Sequence, residues 1–318
     1  MQSFSLYIFS AIKRDCMYSI EAGLKYFIIG ALSSSFLVMS FYLFYFYTGC
    51  FSFLDIYYYT GFHLDSESTV NFIDVFDIEF TNDLKKLSFD FNFFESKLYF
   101  SYLLVYFFLA CFLFKLGSVP FHSWMHDVYE GAPTTISFLL SILSKIPVIY
   151  VFQQILCNFF KVLSFVWADI IFFSSICSII VGNFLSFKQF RLKRLLITSS
   201  IVQTGYIVLA LSIQSLYSYI TVYFFVLVYS ISAIMLWGML CLLMKKKTKV
   251  STLSIVNTSG MFELNNVLSL FFLMSLLSVA GIPFFPGFFS KLFIFSLVTK
   301  LSMYTLFFFI LILRAVSS

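Results

Sequence analysis

Residues 195–244 read LLITSSIVQTGYIVLALSIQSLYSYITVYFFVLVYSISAIMLWGMLCLLM, fifty residues without one Asp, Glu, Lys or Arg. A bilayer core about 30 Å thick needs roughly 20 apolar residues per helical crossing. This stretch therefore supplies two crossings with a turn between them. Residues 26–54 and 264–290 are equally free of charge. Over the whole chain 61% of residues are apolar, 22% are aromatic and 11% are charged, against about 25% charged in a soluble domain. The expected fold class is all-α, a polytopic transmembrane helix bundle.

Spans are expected near 20–47, 98–118, 133–157, 166–187, 195–212, 216–244, 262–295 and 300–316, forming one transmembrane domain over 1–318. A stub at 3–12 is too short to cross. It either lies on the surface or is the tail of a helix that begins on another polypeptide. Basic residues cluster at Lys13-Arg14, at Lys188 to Arg194, and at Lys245-Lys246-Lys247 with Lys249. Counting spans puts all three clusters on one side, the matrix or cytoplasmic face by the positive-inside rule. The formal charge of +5 thus reads as topology, with no nucleic-acid partner implied. The loop 55–97 falls on the opposite side and carries nine acidic residues against three lysines. Within it Leu87, Phe89, Phe91 and Phe93 alternate with Ser88, Asp90 and Asn92, the period of a half-buried strand. Such a loop is either an insertion folded over the bundle or a docking edge for a neighbouring subunit.

The six cysteines, Cys16, Cys50, Cys111, Cys157, Cys177 and Cys241, form no CxxC pair, and His63, His122 and His126 complete no metal set with them. No glycine-rich phosphate loop or dinucleotide fingerprint is present. Redox cofactors, if the function needs them, belong on other chains. The 47 phenylalanines fit an AT-rich organellar gene, and nothing reads as a cleavable leader ahead of the apolar run Phe4–Ile12.

Four lysines stand in apolar sequence: Lys25, one turn after Glu21; Lys115 in FLACFLFKLGSVPF; Lys145 in ISFLLSILSKIPVIY; and Lys291 in GIPFFPGFFSKLFIF. A charge at mid-bilayer costs at least ~2.5–3.5 kcal/mol, so such residues face the bundle interior and serve ion pathways. The competing reading is a lysine near a span end that snorkels to the headgroups, and it weighs most on Lys25. All five prolines, Pro120, Pro133, Pro147, Pro283 and Pro286, lie in or beside these segments. The 262–295 span would be about 51 Å long as one straight helix, and Gly281, Pro283, Pro286 and Gly287 interrupt it. Gly117 and Pro120 do the same after Lys115. Broken helices free backbone groups, which membranes tolerate where they line a hydrated cavity; kinks made only for packing are the alternative. In WMHDVYEGAP, residues 124–133, Asp127 and Glu130 either gather protons at a matrix-side entrance or form a solvated, capped loop. His122 and His126 flank them and read as hydrogen-bonded structural groups.

Five segments run in one order: EAGLKYFIIGA from Glu21, FKLGSVPFHSWMHDVYEGAP from Phe114, Ser144-Lys145, GNFLSFKQFRLKRLLITSSIVQTGY from Gly182, and SLLSVAGIPFFPGFFSK from Ser275. Together they resemble the subunit 2 family of mitochondrial complex I and its bacterial and chloroplast equivalents. The resemblance implies an antiporter-like bundle of two inverted five-helix repeats, each with a broken helix, crossed by a polar axis of buried lysines. Lys115, Lys145 and Lys291 match that axis as a proton relay, with Lys25 and Glu21 as weaker members. It further implies a subunit of proton-translocating NADH:ubiquinone reductase in the mitochondrial inner membrane, with NADH, FMN, iron–sulfur clusters and ubiquinone held elsewhere. Its partners would be other membrane-arm subunits and membrane lipids.

Three departures stand out. His126 occupies a place where the family often has proline, Pro286 is displaced from the usual GIPP pattern, and Gln203 stands where histidine is common. QSFSLYIFSA looks like the last turns of the helix whose earlier part carries the family's membrane glutamate, and the chain stops before the family's last helix. A split or truncated subunit is expected, the split being favoured, with a separate chain supplying the N-terminal helices. The alternatives are a subunit of a multi-subunit cation/proton antiporter, or a structural fragment that does not pump.

Overall fold

The computed structural model describes residues 2–13, 16–48, 91–158, 160, 164–246 and 266–300. All regular structure among them is helical: α1 Gln2–Ser10, α2 Met17–Thr48, α3 Phe91–Leu116, α4 Ser123–Gly131, α5 Thr134–Ile142, α6 Lys145–Asn158, α7 Ser164–Phe187, α8 Leu192–Ser212, α9 Leu216–Lys246, α10 Asn266–Ala280 and α11 Pro286–Lys300. Five stretches, α2, α5 with α6, α7, α8 and α9, are long and apolar enough to cross a membrane, and α10, α11 and the end of α3 form shorter apolar helices. Lipid offers backbone groups no partners, so each span must satisfy them internally, and helices do this segment by segment.

Helix α8 is the most enclosed element: Ile197, Ile201 and the run Tyr206 to Leu211 are all buried. It packs along α7 and also touches α9, α4 and α11. Gly182 and Gly205 are the close-approach points of that pair, since a side chain on Gly182 would run into Val202 and one on Gly205 into Ser178. Helix α2 lies at the periphery against α1, α3 and α4, and Leu24, Phe27, Ile28 and Val38 face outward.

The alternating pattern at 87–93 does not give a strand in its described part. Phe91, Asn92 and Phe93 open helix α3, whose 26 apolar-rich residues close their own hydrogen bonds as a lone strand in lipid could not. The rest of the acidic loop and the 300–316 span lie outside the described residues, apart from Lys300, which ends α11. The stub at 3–12 is helix α1, laid against α2 with Tyr7 packed edge-on to Tyr26 and Phe27.

Residues 133–157, expected as one span, are two helices interrupted at Leu143–Ser144. Pro147 accounts for this. It has no N–H for the Leu143 carbonyl, and its ring crowds that same carbonyl, while it is tolerated in the first turn of α6.

Candidate functional site

The two expected breaks close in the same way. Gly117 and Gly281 both adopt left-handed backbone, with φ of 68° and 74°. The N–H of Ser118 donates to the Leu113 carbonyl and that of Ile282 to Leu277, while each glycine N–H bonds one turn back, to Phe114 and Ser278 respectively. This is the glycine C-cap that ends a helix while satisfying its last carbonyls. The carbonyls near the two breaks meet different side-chain donors. At the first break the Trp124 indole donates to the Phe114 carbonyl, at 3.1 Å. At the second, the Lys291 ammonium donates to the Val279 carbonyl at 2.5 Å and lies 3.4 Å from that of Ala280. The helical donor to Val279 would be residue 283, a proline with no N–H.

Lys145 is buried, and its Nζ has no hydrogen-bond partner among the described residues. It lies 5.7 Å from the centroid of the Tyr229 ring. Lys291, also buried, lies 5.7 Å from the Tyr206 ring. Tyr229, the ring beside Lys145, and Val279, whose carbonyl Lys291 holds, both line a small cavity of about 10 Å³, with Ser200, Gln203 and Ser232. The Gln203 amide approaches the same Val279 carbonyl that Lys291 holds, at 3.5 Å.

Lys115 is half-buried and makes no hydrogen bond or ion pair among the described residues. It lines a pocket of about 220 Å³ with Tyr7, Tyr26, Ser33, Trp124 and Ser144. Ser144 is the neighbour of Lys145, so the pocket reaches from the first lysine to the helix interruption that carries the second. Cys111, one turn before Lys115, is fully buried.

Lys25 does not belong with the buried lysines. Its side chain is 39% exposed and bonds Glu21 and Asp127, each at 2.7 Å. Glu130 pairs with Arg191 and Arg194, and Lys193 donates to the Ala132 carbonyl at 3.1 Å. Lys13 lies within electrostatic reach of Lys193. Two of the expected basic clusters thus gather at one end of the bundle, around the carboxylates of α4. Asp127 and Glu130, read from sequence either as an entrance or as a solvated, capped loop, are both engaged in ion pairs that fasten α4 to α2 and α8.

The α4 histidines also differ from expectation. His122 Nδ1 and His126 Nε2 are buried without a hydrogen-bond partner among the described residues, and their rings stand edge-on at 6.3 Å. Helix α4 is only nine residues long and does not cross the bilayer. Burial, with help from His122 and Arg194, holds the His126 imidazole below the ordinary histidine range, and Asp127 and Glu130 oppose this in part. No group of three or more His, Cys, Asp or Glu suited to a metal occurs among the described residues.

Sequence reasoning missed Tyr229, Tyr206, Tyr129 and the polar lining of the small cavity. Tyr129 donates to the Leu140 carbonyl at 3.0 Å and Tyr229 to that of Ser141 at 3.3 Å, so both attend carbonyls of the turn just ahead of the Leu143–Ser144 interruption.

Comparison with known proteins gives one consistent relationship. Residues 1–317 match the transmembrane family described as NADH:quinone oxidoreductase/Mrp antiporter. The chain is 32% identical over 307 residues to NADH-quinone oxidoreductase subunit N 1 of Rhizobium meliloti, covering 96% of this chain and 57% of that protein. It is 31% identical over 300 residues to NADH-ubiquinone oxidoreductase chain 2 of Marchantia polymorpha, covering 93% of this chain and 54% of that one. The chain therefore spans just over half the length of these curated relatives. Among solved structures, a chain of respiratory complex I from Thermus thermophilus with bound aureothin superposes with a TM-score of 0.70 at 23% identity, over 99% of this chain and 60% of that one. A chain of the Mrp complex from Dietzia superposes with a TM-score of 0.75 at 17% identity, over 95% of this chain and 49% of that one. At these identities the structures speak to the fold.

Proposed function

This chain belongs to the NADH:quinone oxidoreductase/Mrp antiporter transmembrane family, and from that premise we propose that it is a proton-translocating membrane-arm subunit of an NADH:quinone oxidoreductase. The curated relatives that support this are subunits N and chain 2 of such enzymes. The protons move along Lys115, Lys145 and Lys291. The observation that carries the reading is Lys145: an amine enclosed by the bundle with no hydrogen-bond acceptor among the described residues, whose chain neighbour Ser144 lines the Lys115 pocket and whose ring neighbour Tyr229 lines the Gln203 cavity. A group so weakly tied to either neighbour exchanges its proton with each in turn.

The redox chemistry belongs to other subunits, which hold NADH, FMN, iron–sulfur clusters and ubiquinone. The chain works in the mitochondrial inner membrane, beside the other membrane-arm subunits and among lipids.

The test is NADH-driven proton pumping by the assembled complex in sealed vesicles. Lys115→Met and Lys291→Met should each lower the protons moved per NADH oxidised. Unchanged stoichiometry in both would sink the relay assignment, and copurification with cation/proton antiporter subunits instead of NADH dehydrogenase subunits would favour the antiporter reading.

A further inference from the structure

A buried ammonium is tolerated when something takes the place of water. At Lys291 the Val279 and Ala280 carbonyls do so. At Lys145 no acceptor is present among the described residues, and the electron-rich surface near it is the face of Tyr229, 5.7 Å from Nζ to ring centroid. Cations within about 6 Å of an aromatic centroid are attracted by the ring quadrupole, more strongly where water is excluded. Tyr229 is itself fixed: its hydroxyl donates to the Ser141 carbonyl, whose helical donor would be Lys145 N–H, on the far side of the interruption. One residue of α9 therefore holds the break ahead of Lys145 and presents its ring to the charge that the break exposes.

Tyr229 is also linked to the second lysine by a chain of contacts. Its side chain bounds the cavity shared with Ser200, Gln203, Ser232 and Val279, whose volume of about 10 Å³ is at the lower limit for one water molecule. From Lys145 toward Lys291 the succession is the Tyr229 ring, this cavity, the Gln203 amide, and the Val279 carbonyl that Lys291 also holds. Gln203 does not titrate, so neither it nor the carbonyl supplies a charged intermediate between the two lysines.

We infer that Tyr229 is a positioning residue of the relay, its ring stabilising the charged form of Lys145 where no carboxylate bonds that amine among the described residues. The inference rests on the relay reading of Lys145. Tyr206, at the same 5.7 Å from Lys291, is the corresponding ring at the second lysine, where carbonyls share the task.

The experiment compares Tyr229→Phe, Tyr229→Leu, Tyr229→Met and Lys145→Met in the assembled complex, reading protons moved per NADH and the uncoupled NADH oxidation rate separately. Tyr229→Phe keeps the ring and should keep most of the pumping stoichiometry. Tyr229→Leu and Tyr229→Met remove the ring and should lower the stoichiometry as Lys145→Met does, with uncoupled oxidation little changed. A merely structural tyrosine would lower assembly and both readouts together, and that result overturns the inference. So does a stoichiometry in Tyr229→Leu or Tyr229→Met equal to wild type, or a loss in Tyr229→Phe as large as in Tyr229→Leu. Should Lys145→Met leave the stoichiometry unchanged, the relay reading fails and the role of Tyr229 with it. A deficit in Lys145→Met alone overturns only the role of Tyr229.

Discussion

Lys291 holds the carbonyl of Val279 across the second helix break, where left-handed Gly281 has already turned the chain out of the helix. Lys291→Gln keeps a polar donor of shorter reach and removes the charge. A hydrogen bond to a charged group is worth about 1.5–3 kcal/mol, so the expected outcome is a looser hold on that carbonyl and fewer protons pumped per NADH. Sealed-vesicle pumping of the assembled variant checks it.

Gly281 and Gly117 hold φ values of 74° and 68°, where a Cβ costs roughly 1–2 kcal/mol. Both Gly→Ala variants should lower the thermal stability of the complex by about that amount. At Gly117 the Cβ would in addition meet the Met125 thioether, which must shift to make room. Thermal denaturation of the purified complex, or its yield on native gels, checks both.

The breaks were legible in the sequence and their partners were not. Gly117, Pro120, Gly281, Pro283 and Pro286 act on their own backbone, so their effect is local and can be read in place. Pro147 carried the same kind of signal for the Leu143–Ser144 interruption, although the apolar run around it reads as one span. Tyr229 and Tyr206 are two of twenty tyrosines; only the packing of α9 and α8 against the lysine-bearing helices selects them. Lys25 shows the same limit. Its surroundings left burial and snorkelling both open, with snorkelling weighing most here, and its partner was not legible: α4 folds back from a point a hundred residues away and sets Asp127 beside it.

The Lys25 cluster should behave as an exposed ion pair. Exposed pairs contribute about 0–1 kcal/mol, and salt screens them. Lys25→Met should therefore leave protons per NADH unchanged and cost little stability, with the difference vanishing as ionic strength rises. A pumping deficit in Lys25→Met that persists at high salt would restore it to the relay.

The His126 imidazole is pushed below the ordinary histidine value of 6.5, first by burial and then by His122 and Arg194. A histidine whose proton affinity is depressed in the folded state binds fewer protons there than in the unfolded chain. The stability it permits is complete above the unfolded value and is lost as pH falls from that value toward the folded one. The detergent-solubilised complex should therefore lose thermal stability on acidification below about pH 6.5, and His126→Gln should flatten that loss. Burial sets the sign, and the Asp127 and Glu130 carboxylates that oppose it are already engaged by Lys25, Arg191 and Arg194. Glu130→Gln makes the complementary check. It removes a carboxylate that opposes the depression and frees two guanidinium groups beside α4, so the folded value falls further while the unfolded one stays put. The acid loss should then start at the same pH, run to a lower one and be larger in total, and it should shrink again when His126→Gln is added.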